Sequence, residues 1–114
     1  MRLLRFEDLD EYLPAGHRGV VNRLMFGLSN GGDGSVSIWH GRLEPGGRSD
    51  LHTHEESLQV YVGLAGQMTV GDGEREALLH ELTTAVFEKG TRHFIANHTE
   101  QPAEVLVISV PGLR

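Results

Sequence analysis

Two histidines with one residue between them, His52 and His54, are the feature of the sequence most suited to chemistry. On a β-strand these side chains point to the same side, because strand side chains alternate with a period of two. One metal ion could therefore bind both imidazoles. A further ligand has to come from a distant part of the chain, and His93 is the best candidate.

Gln59 is the candidate for a fourth ligand. It follows His54 by five residues, an offset that would place it on the opposite face of an unbroken strand. The polar residues 55–57 could form a turn or bulge that restores the phase. Gln59 is then either a ligand or a residue that only hydrogen-bonds His54 or nearby backbone. Asn97 is expected to act in a turn or behind the ligands rather than as a ligand.

The spacing of these residues resembles the first conserved motif of the cupin family. Gly46, His52, His54, Gln59 and Gly66 follow the pattern G-x5-H-x-H-x4-Q-x6-G. The family usually has glutamate at the position of Gln59. The resemblance implies an all-β double-stranded β-helix, or jelly-roll barrel, with a metal held by His52, His54, Gln59 and His93.

A second segment is similar to the other cupin motif, P-x-G-x2-H-x3-N. Gly90, His93 and Asn97 match it, whereas Glu88 stands in the place of the proline and Leu82 in that of an upstream glycine. The two motifs occur in the order expected for the family. They predict one cupin domain over residues 1–114, with N-terminal strands and a loop in 1–34 and the motif-bearing barrel in 35–114.

Short segments rich in β-forming residues recur along the chain between glycine and proline turns. This pattern alone predicts a sandwich or small barrel. The expected strands are residues 3–6, 19–28, 35–43, 59–64, 67–70, 78–82, 85–87, 93–97 and 104–110, with one helical turn in 7–12. The first would be an edge strand, and because sheet edges need covering or pairing, a homodimer is expected.

The charge balance limits the partners. The net charge of −6 comes from 16 acidic and 10 basic residues. Nucleic acids and anionic membranes need basic surfaces, so neither is expected as the main partner, which leaves a small molecule. The N-terminal stretch does not resemble a signal peptide, and no apolar run approaches the roughly 20 residues of a membrane span. A cytoplasmic location is therefore predicted.

The ligand types indicate the class of metal. Imidazole nitrogen and amide oxygen suit a divalent Zn, Fe, Mn, Ni, Co or Cu ion, without selecting among them. Three neutral histidines and a neutral Gln59 would leave the full double charge on the ion. Such an ion polarises oxygen groups strongly and resists further oxidation, which favours Lewis-acid chemistry over oxygen activation.

Tyr61 and His40 are the candidate catalytic residues. Tyr61 shares a strand face with Gln59, where its phenol could act as an acid or hydrogen-bond donor, or simply pack in the core. His40 could face the cavity or the outside, and Trp39 must take the other side. His17, His80 and His98 lie in or beside predicted loops, so they are expected in solvent.

The set of three histidines and one glutamine resembles two groups of small cupins: those that open unsaturated uronate sugars and those that cyclise polyketides. Both work without net redox change. We therefore expect a metal-dependent lyase, isomerase or cyclase acting on a small oxygenated molecule. The alternatives are a mononuclear non-haem iron dioxygenase and a non-enzymatic binding or sensory cupin. The last strand, residues 104–110, has no internal acid and no aromatic residue, unlike that of the uronate group.

Overall fold

Within residues 1–113, which the computed structural model describes, β-strands are the dominant element. Short 3-10 turns occupy Phe6–Asp8 and Leu28–Asn30. The strands are β1 (Glu11–Tyr12), β2 (His17–Phe26), β3 (Ser37–Ser49), β4 (His52–Thr53), β5 (Leu58–Ala65), β6 (Met68–Gly71), β7 (Glu76–Leu79), β8 (Thr84–Phe87), β9 (Arg92–Ala96) and β10 (Ala103–Val110). This part of the chain has no helix with the length and hydropathy needed to cross a membrane.

The strands form one strongly curved antiparallel sheet in the order β7-β6-β9-β3-β10-β5-β8. Strand β2 pairs with β3 and with β1, while β4 pairs with β9. Most neighbours in this order, such as β9 with β3 and β3 with β10, are far apart in the sequence, as in a jelly roll. The nearly closed, barrel-like sheet confirms the predicted all-β jelly-roll fold.

Alternation along the strands determines which side chains enter the barrel. On β5, Gln59 and Tyr61 are buried, whereas Leu58, Val60 and Val62 are only partly covered. Elsewhere the most deeply buried apolar side chains include Leu43, Met68, Leu79 and Val105. Half-buried antiparallel strands show this alternation because one face packs on the core. The inward face of β5 therefore carries both apolar and polar groups into the interior.

The prediction of an edge strand at residues 3–6 is wrong. The chain forms a 3-10 turn at Phe6–Asp8 instead. The Phe6 ring packs edge-on against His40, with centroids 4.8 Å apart. The Arg23 guanidinium donates a hydrogen bond of 2.8 Å to the Phe6 carbonyl. These contacts hold the segment against side chains of β2 and β3, and leave it no sheet neighbour.

Strand β3 continues beyond Leu43, where the sequence predicted its end, and passes through Pro45. Gly46 has a φ of +80°, a conformation that glycine adopts readily. The Gly46 amide donates to the Asn97 carbonyl, and the Asn97 amide donates to the Gly47 carbonyl, at 2.9 and 2.8 Å. The strand therefore runs on through this glycine pair to Ser49, and the chain reaches His52 three residues later.

Candidate metal centre

Three histidines meet where β4 pairs with β9. His52 and His93 are directly opposite one another, and His54 follows immediately after β4. The ring centroid of His52 lies 4.3 Å from that of His93 and 4.9 Å from that of His54. One potential ligand nitrogen from each of the three lies within 4.8 Å of the others. The structure thus brings together the three histidines that the sequence selected.

Hydrogen bonds leave the Nε2 atoms of two of these rings free. The Nδ1 atom of His52 lies 2.7 Å from the Asp50 carbonyl oxygen, and that of His93 lies 2.9 Å from the Thr91 carbonyl oxygen. A carbonyl oxygen can only accept, so Nδ1 carries the hydrogen in both rings. Nε2 of each neutral ring then has a lone pair. This arrangement, with a backbone carbonyl behind the ring, is common among metal-binding histidines.

Two buried polar atoms have no partner in the described structure: Nε2 of His93 and Oε1 of Gln59. Gln59 is 2% exposed and His93 1%. The Gln59 amide nitrogen donates to the Ser109 hydroxyl at 2.9 Å, which fixes the amide and leaves its oxygen free. A buried polar atom without a partner costs about 1–3 kcal/mol, so a ligand for both atoms is expected. Imidazole nitrogens with an amide oxygen fit a divalent transition metal.

Burial favours the uncharged form of His93 and of His54. It lowers the pKa of His93 to about 4, although the hydrogen bond to Thr91 acts in the opposite direction. The pKa of His54 is also lowered, first by burial and then by the nearby rings of His52 and His17. A proton and a metal compete for the same lone pair. At neutral pH, therefore, His54 and His93 are ready to bind a metal without first losing a proton.

The turn that the sequence suggested between His54 and Gln59 is present. Strand β4 ends at Thr53 and β5 begins at Leu58. The break lets Gln59 line the same cavity as His52 and His54, despite the odd spacing. We call this the central cavity; its volume is about 390 Å³. Asn97 is a turn residue, as expected, since its side chain hydrogen-bonds the Leu43 and Gln101 carbonyls.

Tyr61 also lines the central cavity. Its ring contacts His93 and Phe87, with centroid distances of 5.9 and 5.1 Å. Burial raises the pKa of the Tyr61 phenol, so the hydroxyl keeps its proton at neutral pH. Phe87 in turn stacks on His93 at 4.9 Å. The phenol is therefore a potential donor beside the histidines, and the aromatic rings hold His93 in place.

The structure does not bring His40 to the histidine cluster. Its Nε2 atom lies 2.8 Å from a carboxylate oxygen of Glu104, in a depression that it shares with Phe6 and Arg23. The preceding residue, Trp39, lines the central cavity instead. The sequence left open which of the two faces inward; the alternation of β3 gives that position to Trp39. His40 is a buried partner of Glu104, outside the central cavity.

His17 is a residue that sequence reasoning missed. It was expected in solvent, but it lines the central cavity and its ring centroid lies 5.8 Å from that of His52. Its Nδ1 atom lies 3.0 Å from the Ala15 carbonyl, which leaves Nε2 free. The missed signal was the start of β2: the strand begins at His17, two residues before the expected start, and His17 pairs with Ser49 of β3.

Comparison with known proteins agrees with this geometry. A family model described as "Cupin domain" matches residues 39–109, more than half of the chain. The chain belongs to the cupin family. Among curated proteins nothing matches it. The matched range includes His52, His54 and His93, so the predicted resemblance is confirmed.

Solved cupin-like structures superpose over almost the whole chain. The polyketide cyclase RemF from Streptomyces resistomycificus is 18% identical, with a TM-score of 0.85 over 96% of this chain and 79% of its own. TT1209 from Thermus thermophilus is 28% identical, with a TM-score of 0.78 over 99% and 100% of the two chains. A sugar phosphate isomerase of the cupin superfamily from Silicibacter pomeroyi is 24% identical, with a TM-score of 0.80 over 96% and 75%. The first and third likenesses show the cupin fold alone.

Proposed function

We propose that this cupin is a metal-dependent lyase, isomerase or cyclase that acts on a small oxygenated organic molecule without net redox change. The observation that carries the proposal is the pair of buried, unpartnered ligand atoms, Gln59 Oε1 and His93 Nε2, beside His52 and His54. All four donors are neutral. A divalent ion held by them supplies a strong Lewis acid for a carbonyl or hydroxyl oxygen.

Residues of the central cavity supply the proton chemistry. His17 has a free Nε2 and lines the cavity, so it is positioned to accept a proton from a carbon or oxygen next to the polarised carbonyl. Tyr61, on β5, also lines the cavity and keeps its proton, so it acts as the donor. In this proposal His17, rather than His40, is the catalytic histidine that transfers the proton. Asp50 holds the His52 ring through its backbone carbonyl.

Names of related structures support the general class but not one reaction. They include a polyketide cyclase, a predicted oxalate decarboxylase from Thermotoga maritima and a sugar phosphate isomerase. One fold hosts many activities, so the fold does not choose among them. What favours chemistry without redox change in this chain is the neutral ligand set, in which Gln59 replaces the usual glutamate.

The test is a comparison of the same protein loaded with Zn²⁺ and with Fe²⁺. A panel of enolisable ketones is incubated in D₂O, and proton exchange or rearrangement is followed by NMR alongside an oxygen electrode. We expect turnover with Zn²⁺ that His17→Gln slows by about 100-fold, as for a lost general base. Oxygen uptake that requires Fe²⁺ would instead identify a dioxygenase. Ligand binding without turnover under either metal would identify a binding or sensory cupin.

Two predictions made from the sequence stay predictions: a homodimer and a cytoplasmic location. Leu3 and Leu13 are exposed apolar residues on the N-terminal segment, and they suit a contact between two copies. Small-angle scattering at micromolar concentration distinguishes a monomer from a dimer. A monomeric mass would contradict the predicted assembly.

A further inference from the structure

The central cavity is apolar over most of its wall. Val20, Leu43, Ile95, Val105 and Val107 contribute to it, together with the indole of Trp39. Its volume of about 390 Å³ falls within the range of sites for small organic molecules. Sugars and short carboxylic acids present polar groups on every side, and those groups would find no hydrogen-bond partners on this apolar wall. The wall instead favours a ligand with a substantial hydrocarbon surface.

Two aromatic rings lie on the side of the cavity formed by β1 and β3. Tyr12 and Trp39 have ring centroids 5.5 Å apart with planes tilted by 38°. Tyr12 is 51% exposed, so it is at the rim, and it is followed by the cavity-lining segment Pro14–His17. Exposed aromatic rings beside a cavity gain contact area when a flat ring packs against them. This side of the cavity therefore fits an aromatic or otherwise planar group.

The charges of the cavity argue against highly charged ligands. Among the described residues, neither lysine nor arginine lines it, and Asp50 is its one carboxylate. Oxalate and phosphate esters are usually bound by arginine or lysine side chains. Here the positive charge would come from the divalent ion alone, since its four ligands are neutral. Together with the Asp50 carboxylate, the ion would leave the cavity with one net positive charge, which a ligand with a single negative charge on oxygen neutralises and a compact dianion exceeds.

We propose that the cavity takes a flat, largely apolar molecule that carries one acidic enol or phenol oxygen next to a carbonyl. This inference rests on the proposed metal site. The oxygen pair lies at the histidine cluster, and the ring lies along Trp39 towards Tyr12. Compact dianions, including dicarboxylates and sugar phosphates, are not its ligands.

The test uses two β-diketones with the same chelating group. Acetylacetone has no ring, benzoylacetone has one, and oxalate serves as the compact dianion. Their affinities for the zinc-loaded protein are measured by calorimetry, with zinc content determined before and after each titration. We expect the affinity of benzoylacetone to be at least about tenfold higher than that of acetylacetone, because one phenyl ring is buried on binding. Oxalate should bind more weakly than either.

Variants of Trp39 and Tyr12 test whether the higher affinity for benzoylacetone comes from these two rings. Trp39→Ala and Tyr12→Ala should each reduce the preference for benzoylacetone by at least about threefold, with zinc content and acetylacetone affinity unchanged. Because Tyr12 is half-exposed, its variant remains informative if Trp39→Ala does not fold. Leu78→Ala, at an exposed apolar residue outside the cavity, is the matched control.

The possible failures are distinguishable. A protein that takes up no zinc overturns the proposed function itself, and this inference with it. A zinc-loaded protein that binds oxalate as tightly as benzoylacetone overturns only the inference about the ligand. So does a preference for benzoylacetone that survives both Trp39→Ala and Tyr12→Ala.

Discussion

His52 and His93 lie directly opposite one another in the β4–β9 pair, and their ring centroids are 4.3 Å apart. Each ring donates its Nδ1 hydrogen to a backbone carbonyl two residues earlier in its own strand or turn. The same local arrangement thus occurs twice, on segments that are distant in the sequence. It leaves two Nε2 lone pairs close together, which is the relationship that a shared metal ion needs.

Ser109→Ala tests the role of the Gln59 amide. The Ser109 hydroxyl accepts the hydrogen bond that fixes Gln59, so its loss should weaken zinc binding by about 10–100-fold. The free energy of unfolding of the metal-free protein should fall by about 1 kcal/mol. Zinc affinity is measured by competition with a chromogenic chelator, and unfolding by urea titration.

The matched control for Ser109→Ala is Ser57→Ala. Ser57 is also buried and donates to the Pro111 carbonyl, but its hydroxyl makes no hydrogen bond with the Gln59 side chain. Its variant should lose similar stability and keep the parent zinc affinity. Equal zinc affinities in parent and Ser109→Ala would show that Gln59 needs no such support or is not a ligand.

The stability of the metal-free protein should depend on pH through His93. Its pKa is about 4 in the folded state, against an ordinary value of 6.5. The unfolded chain therefore takes up a proton as the pH falls below 6.5, while the folded protein does so only near pH 4. Stability should be unaffected by this group above pH 6.5 and decrease as the pH falls from 6.5 to 4.

Urea unfolding in the presence of a chelator measures this effect. In His93→Gln the group is absent, so the decrease in stability between pH 6.5 and 4 should be smaller than in the parent. Identical pH profiles for the two proteins would contradict the lowered pKa of His93. The effect has to be measured without metal, because a bound ion would itself be displaced by protons over the same range.

Tyr61→Phe separates a catalytic phenol from a packing residue. The hydroxyl makes no hydrogen bond within the described residues, so its removal should change the free energy of unfolding by less than about 1 kcal/mol. Zinc content should not change. If the hydroxyl donates a proton, kcat should fall by about 100-fold with little change in KM. An unchanged kcat would assign Tyr61 to packing alone.

His40→Ala should affect stability but not the metal site. The variant loses the 2.8 Å contact with Glu104 and the packing of Phe6, at a cost of about 1 kcal/mol or more. Glu104→Ala should cost a similar amount, and the double variant less than the sum, because both remove one interaction. Zinc content should equal that of the parent. A loss of zinc in His40→Ala would contradict this account, because it would show that zinc binding at the histidine cluster depends on His40.

The residues that sequence analysis located are those set by local rules. His52 and His54 share a side because of strand alternation, and the polar turn after them restores the phase for Gln59. The order and spacing of the two motifs then predicted that His93 would join them. The barrel was predictable from many short strands between glycine turns, and the choice of a jelly roll came from the resemblance to cupins.

The remaining features depend on contacts between distant segments. Because side chains alternate along a strand, Trp39 and His40 must face opposite sides of β3. Which of them faces the central cavity depends on the position of β3 between β2 and β10. His17 reaches the cavity because the start of β2 pairs with the end of β3, beyond an irregularity in register. Residues 3–6 have the composition of a strand, yet Phe6 packs on His40 instead. None of these outcomes can be inferred from a local pattern.

Metal content tests the central claim most directly. Protein purified without added metal or chelator is analysed for elements, beside His52→Ala and His93→Ala, with His98→Ala as a control at an exposed histidine. We predict one divalent transition-metal ion per chain in the parent and in His98→Ala, and far less in the other two. A parent protein that holds no metal, even after incubation with Zn²⁺ or Fe²⁺, would contradict the metal centre.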